Sequence, residues 1–262
     1  MTQQSAAIAL PEKRTGAANW LRSFRAMLRW EITGFRLLLP LMVAVQFLFG
    51  AGFVLGIGLF LTEMPPRSAL FLTTGAGVIT LIVVGLVLGP QLIANQRQQG
   101  VYDFLWSLPV PRSTAAAAWV VLSMIIAVPG LIGALALGMW RFDLDLVIGW
   151  EIIPAITVTL ATATILGYAM AHAIPNPEVT QILSQILIFV VVGFAPINFP
   201  PENLPAWLAE LHEFLPFTHM ARVVRAALTE GLVTDVGISY LVLGVWAGVG
   251  LALAVFVLGR RR

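Results

Sequence analysis

The residues with the most chemical potential in this sequence are His212 and His219, seven positions apart, with Glu210 and Glu213 beside them. Two imidazoles and a carboxylate can bind zinc or copper, but nothing in the spacing fixes their geometry, and no metal site is assigned. His172 falls at a helix end, where its expected role is capping. The chain has no cysteine, which excludes disulfides, thiolate metal sites and cysteine nucleophiles. Lys13 is the only lysine, and no Gly-x-x-x-x-Gly-Lys-Ser/Thr string occurs, so the chain has no phosphate loop with which to hold ATP. No residue is assigned a catalytic role.

The next candidates are uncharged polar residues within apolar runs. Gln181, Ser184 and Gln185 share a helical face at 3- and 4-residue spacing, Gln46 lies in an earlier run, and Thr157, Thr159, Thr162 and Thr164 recur along another. Two readings stand open: hydrogen bonds between packed helices, or the lining of a path for an amphiphilic or apolar substrate. Apart from Glu151 near one end, the runs carry no acid or base at mid-depth, which argues against proton-coupled transport and against an intramembrane hydrolase. Gly52-x-x-x-Gly56 and Gly244-x-x-x-Gly248 are expected to permit close helix packing.

These residues must be positioned by elements in a chain of 262 residues, 59% hydrophobic and only 11% charged, outside the range of soluble domains. Uncharged runs cover 37–62, 68–96, 113–140, 152–177, 179–201 and 236–259. Each exceeds the roughly 20 residues a helix needs to cross a bilayer, and none is long enough to cross twice. An all-α membrane protein with six spans is expected, at 37–61, 69–90, 114–139, 150–173, 179–195 and 237–258. With both termini in the cytoplasm, eleven of the 15 basic residues lie inside, leaving Arg67, Arg141, Arg222 and Arg225 outside. That bias orients the expected multi-pass protein with both termini in the cytoplasm and gives no reason to invoke nucleic acid.

Residues 1–16 read as a mobile tail. Residues 17–36 read as an amphipathic helix at the bilayer surface, with Arg22, Arg25, Arg29 and Arg36 on one stripe and Trp20, Leu21, Phe24, Met27, Leu28, Ile32 and Phe35 on the adjoining arc; a plain extension of the first span is the other reading. Glu31 falls within the apolar arc, where a neighbouring arginine or a loop is the expected partner. The cytoplasmic connection at 100–112 forms a short aromatic helix, begun after Gly100 and ended by Pro109 and Pro111. Tyr102, Leu105, Trp106 and Pro109 make one contact face with Asp103 on its rim, either a docking knob or an anchor on lipid. The outer connection, 196–235, holds Pro200, Pro205 and Pro216 among its prolines. It reads as two short helices, over 204–214 and 217–229, capping the outer side as a re-entrant hairpin.

These two connections carry a resemblance. Gly100, Asp103, Leu105, Pro109 and Arg112 have the spacing of the segment after the second span of ABC-2 type transporter permeases. Pro200-Pro-Glu-Asn-Leu-Pro-Ala-Trp207, followed by Leu215-Pro-Phe-Thr-His219 and Arg225, resembles that family's outer signature, in which Thr218 keeps its place and His219 replaces a tyrosine. Gln96 and Gln98 stand where the family often has acids. The resemblance implies the membrane half of an ATP-driven exporter. Residues 100–112 would hold a coupling helix that docks on a separate ATPase, which binds ATP and Mg. Two ATPase subunits and a second permease copy would complete it, with Gln46, Gln181, Ser184 and Gln185 toward the pathway. A permease for drug-like or lipid-like compounds, a subunit for envelope lipid, polysaccharide or metal-centre assembly, and a non-transporting scaffold are the functions this leaves open.

Overall fold

The computed structural model describes residues 16–61, 63–101, 104, 107, 108 and 110–259. All regular structure among them is helical, and six helices are long and apolar enough to cross a membrane. In chain order these elements are α1 (Ala17–Phe35), α2 (Leu39–Phe60), α3 (Pro66–Val83), a π-helical segment (Val84–Leu88), α4 (Gly89–Gln98), α5 (Arg112–Phe142), α6 (Ile152–Ala173), α7 (Pro177–Phe194), α8 (Ala206–His212), α9 (Pro216–Leu228) and α10 (Val236–Gly259).

Local chemistry sets the boundaries. Proline stands in the first turn of α2, α3 and α7, where its missing N–H costs nothing. Asn176 caps α7, its Oδ1 accepting from the Glu178 N–H at 2.8 Å. Asp143, at φ 51°, ends α5 in the left-handed region.

α3, the π segment and α4 form one 33-residue span, Pro66–Gln98, running well past position 90. The extra turns hold because Gln91, Gln96, Arg97 and Gln98 are good helix formers and Gly100 supplies the stop. The π turn sits where Pro90 would otherwise clash with the Leu86 carbonyl; widening the ladder there lets the helix continue.

This span is the centre of the molecule. In its most apolar stretch 89% of residues are enclosed, against 17% for α7 and for α10. α5 packs on one side with α2 beyond it, α6 on another with α10 beyond it, and α7 leans on α4 and the π segment. The closest approaches are glycine-made. A Cβ on Gly50 would sit 2.0 Å from the Gly130 carbonyl oxygen, and one on Gly167 would sit 2.1 Å from that of Gly85. Gly52, Gly56, Gly244 and Gly248 have nothing within 4 Å, so the two Gly-x-x-x-Gly pairs make no seam within one chain among the described residues. They face outward because each buried line is set by other residues, in α2 by Gln46, Gly50, Val54 and Gly58.

α1 buries Ser23, Met27 and Glu31 in one line, and α5 is the helix it packs on. The Trp20 indole N–H donates to Ser113 Oγ at 3.0 Å, and the rings of Phe35 and Trp119 lie 6.5 Å apart. Fifteen residues of α1, about 22 Å, thus match six of α5, about 9 Å, so α1 lies steeply across the end of α5. The ion-pair partner expected for Glu31 is absent among the described residues. The three arginines of α1, Arg22, Arg25 and Arg29, and Arg36 just after it are exposed, around the helix from the buried line that holds Glu31.

Candidate functional site

Two regions at opposite ends of the central span contain the candidates. The first is the elbow between α4 and α5, on the face that carries α1. Gly100 adopts φ +72°, and its N–H bonds to the Arg97 carbonyl at 3.2 Å, closing α4 as only a residue tolerant of the left-handed region can. Val101, Phe104 and Ser107 are helical, with the Phe104 N–H reaching the Gly100 carbonyl at 3.4 Å. Tyr102, Asp103, Leu105, Trp106 and Pro109 lie outside the described residues. Arg112 is the first residue of α5.

Neighbouring elements fix this elbow. The Trp30 ring of α1 lies 5.9 Å from that of Phe104, and Trp20 bonds Ser113 on its far side. Arg97 donates to the Ile174 carbonyl at 3.2 Å, and Gln181 Nε2 approaches Asn95 Oδ1 at 3.5 Å. The tail of α4 is thereby tied to the α6–α7 turn and to α7. Glu31, buried without a cation, has its pKa pushed up to about 7 by loss of hydration.

The second region is the cap formed by residues 195–235. Pro200, Pro216, Thr218, His219 and Arg225 are buried, whereas Pro205 and Trp207 are exposed at the start of α8. Arg225 is 2% exposed and has no carboxylate partner among the described residues. Its Nε donates to Thr74 Oγ1 at 3.1 Å, Nη2 donates to the Ile197 carbonyl at 2.5 Å, and its plane lies 3.9 Å from the Phe71 ring centre. Burial pushes its pKa down to about 9, with the Arg222 charge a smaller cause, so it stays protonated at neutral pH. One guanidinium therefore joins α9, α3 and the turn after α7. The same turn presses on Gly75, where a Cβ would meet the Ile197 oxygen at 2.3 Å.

The histidines are committed to this cap. His219 Nδ1 pairs with Ser239 Oγ at 3.0 Å and Nε2 with the Glu213 carbonyl at 2.9 Å, while His212 Nδ1 pairs with the Leu208 carbonyl at 2.8 Å. Among the described residues no three His, Asp or Glu side chains group as metal ligands. At the other end His172, fully buried in the last turn of α6, pairs through Nδ1 with the Tyr168 carbonyl at 2.8 Å.

The four polar pathway candidates do not converge within one chain. Gln46 is buried on the line that α2 turns inward, and its Nε2 has no hydrogen-bond partner among the described residues. Ser184 is buried, donating to the Thr180 carbonyl at 2.8 Å. Gln181 is half-buried and turned to Asn95, while Gln185 is exposed.

Several fasteners escaped the sequence reading: Arg222 paired with Glu213, Arg67 with Glu202 at 2.9 Å, and the Trp246 indole donating to the Phe214 carbonyl at 2.8 Å. Thr74 gave no signal, since a threonine in an apolar helix ordinarily bonds its own backbone, as this one also does to Leu70.

No curated protein matches the chain. The family model described as ABC-2 family transporter protein matches residues 62–256, most of its length, from the central span to the last. The chain belongs to the ABC-2 family of transporter proteins, as a multi-pass membrane permease of a family that works with an ABC ATPase.

Proposed function

We propose that this permease exports a hydrophobic or amphiphilic compound from the cytoplasm of a prokaryote, as one of two identical copies driven by two cytoplasmic ATPases that bind ATP and Mg. Both termini and the elbow at 100–112 face the cytoplasm, and the cap faces outward. Tyr102, Asp103, Leu105, Trp106, Pro109 and Arg112 supply the docking surface. α7 contributes to the wall of a shared pathway, where its exposed Gln185 offers polarity without charge to a substrate of low charge.

The observation that carries this reading is a single continuous element. The span that ends in the elbow at Gly100 also holds Thr74 and Phe71, the residues on which Arg225 of the cap is fastened. A push at the elbow is therefore delivered, through a helix whose most apolar stretch is almost wholly enclosed, to the opposite face. Closure of the ATPases on ATP favours one arrangement of that element, and release favours the other.

Charge reversal of Asp103 or Arg112 tests it. In proteoliposomes containing the ATPase, either reversal should abolish substrate-stimulated ATP hydrolysis and transport while membrane insertion stays normal. Normal transport with full stimulation would show that the elbow is not the docking element.

A further inference from the structure

Gln185 stands near the middle of α7, about 12 Å along the helix from Pro177 and about 14 Å from Phe194. It is exposed, and its amide makes no hydrogen bond among the described residues. Ile182, Ile186 and Phe189, all exposed, surround it. At that depth the side chain reaches water at neither surface, and lipid offers it no donor or acceptor. The other amides of the spans are placed differently. Gln46 is buried, Gln181 is turned to Asn95, and Gln91, Asn95, Gln96 and Gln98 belong to α4, at the elbow end of the central span. The exposed Thr157 of α6 satisfies itself, donating to the Ile153 carbonyl at 2.7 Å.

The other bare faces make no such demand. Leu41, Val45 and Leu48 of α2 and Leu241, Val245 and Val249 of α10 are exposed and apolar, and hydrocarbon suffices to cover them. Among the described residues, only the open face of α7 carries an amide at mid-depth that needs another polar group. We propose that Gln185 hydrogen-bonds its counterpart in a second copy of this chain, which makes α7 the seam between the copies. Two copies inserted in one direction, related by a two-fold axis along the membrane normal, hold Gln185 at one depth. A residue beside such an axis meets its own counterpart. A carboxamide suits that contact, because it has both donor and acceptor and each copy can give one bond and take one. Ile182 and Phe189, about one turn to either side on the same face, close the contact against lipid. The inference rests on the two-copy reading above and deepens it: the polar spot on the shared wall is made by both copies and is incomplete in either alone.

The chain has no cysteine, so single cysteines report cleanly. In isolated membranes treated with copper phenanthroline, Gln185→Cys should give a disulfide-linked dimer in high yield. Ile182→Cys and Phe189→Cys should give less, and Leu48→Cys on α2 and Val245→Cys on α10 none. Association of the full chain, labelled at its N-terminus, is then read by energy transfer in liposomes as the protein is diluted in lipid. Gln185→Leu, which fills the same space without the amide, should weaken it about tenfold. Gln185→Asn, which keeps donor and acceptor, should retain most of it. A dimer linked through Leu48 or Val245 and not through Gln185 overturns the seam while leaving two copies in place. Unchanged association of the leucine variant overturns the amide pair. A wild-type chain that stays monomeric at every dilution overturns both this proposal and the two-copy reading. The measurements need no ATP, ATPase or transported compound, so a failure of the export reading leaves them decisive.

Discussion

Arg225 Nε and Thr74 Oγ1 meet at 3.1 Å across 151 positions of sequence, within a buried contact that also takes in the Ile197 carbonyl and the Phe71 ring. A desolvated guanidinium without a carboxylate is tolerable only because its charge is shared among a hydroxyl, a carbonyl and an aromatic face. Arg225→Ala removes the donor and leaves the Ile197 carbonyl bare, at a cost of about 3 kcal/mol. Thr74→Val deletes one bond and should cost about 1 kcal/mol. Unfolding of the two single variants and the double variant in mixed micelles should give a coupling energy of about 1 kcal/mol. Additive losses would mean that the pair does not join the cap to α3.

The glycine seams predict a sharp contrast within one residue type. Gly167→Ala places a methyl 2.1 Å from the Gly85 oxygen, against backbone that cannot yield cheaply. It should destabilise the chain by about 2 kcal/mol. Gly52→Ala and Gly248→Ala meet nothing within 4 Å and should stabilise each helix by up to about 1 kcal/mol. Thermal unfolding of the purified chain distinguishes the two classes.

Glu31 makes stability depend on pH. Its folded pKa, raised to about 7, lies above the unfolded value near 4.5, so the native state binds the extra proton between them. Stability should be greatest below about pH 4.5, fall as pH rises through 7, and level off above it, by about 3 kcal/mol in all. Glu31→Gln should remove this slope and unfold later than wild type at pH 8, with little difference at pH 4.5. Parallel profiles would mean that the carboxyl is hydrated in the folded chain.

The six spans were legible because nothing but lipid asks for uncharged runs of such length, and charge sets their ends. The short helices of the cap were legible from Pro205 and Pro216, which start them. Partners across the fold were not. Arg225 was named through the outer signature, yet Thr74 is one threonine among several, and its selection depends on how α9 folds back over α3. Gly-x-x-x-Gly spacing misdirected for the same reason: it marks a smooth helix face without saying what covers it, and the close contacts use Gly50 and Gly167 instead. The Gly100 elbow was placed by its helix-breaking residue, whereas the π turn before it, a response to Pro90 in a helix too well packed to bend, left no mark in the periodicity.

The conformation at Gly100 can be separated from the chemistry of the elbow. Among the described residues a Cβ there meets no atom within 4 Å, so what they set against Gly100→Ala is backbone strain alone, through φ +72°. The cost is about 1 kcal/mol, too little to unfold a six-span protein but enough to favour other exits from α4. Asparagine tolerates the left-handed region better than alanine does. Gly100→Ala should therefore lower substrate-stimulated ATP hydrolysis in proteoliposomes severalfold, with insertion and unfolding temperature little changed, and Gly100→Asn should recover most of it. If the asparagine variant is as impaired as the alanine variant, added bulk at a docking surface, and not the angle at which α4 releases the chain, sets the strength of coupling.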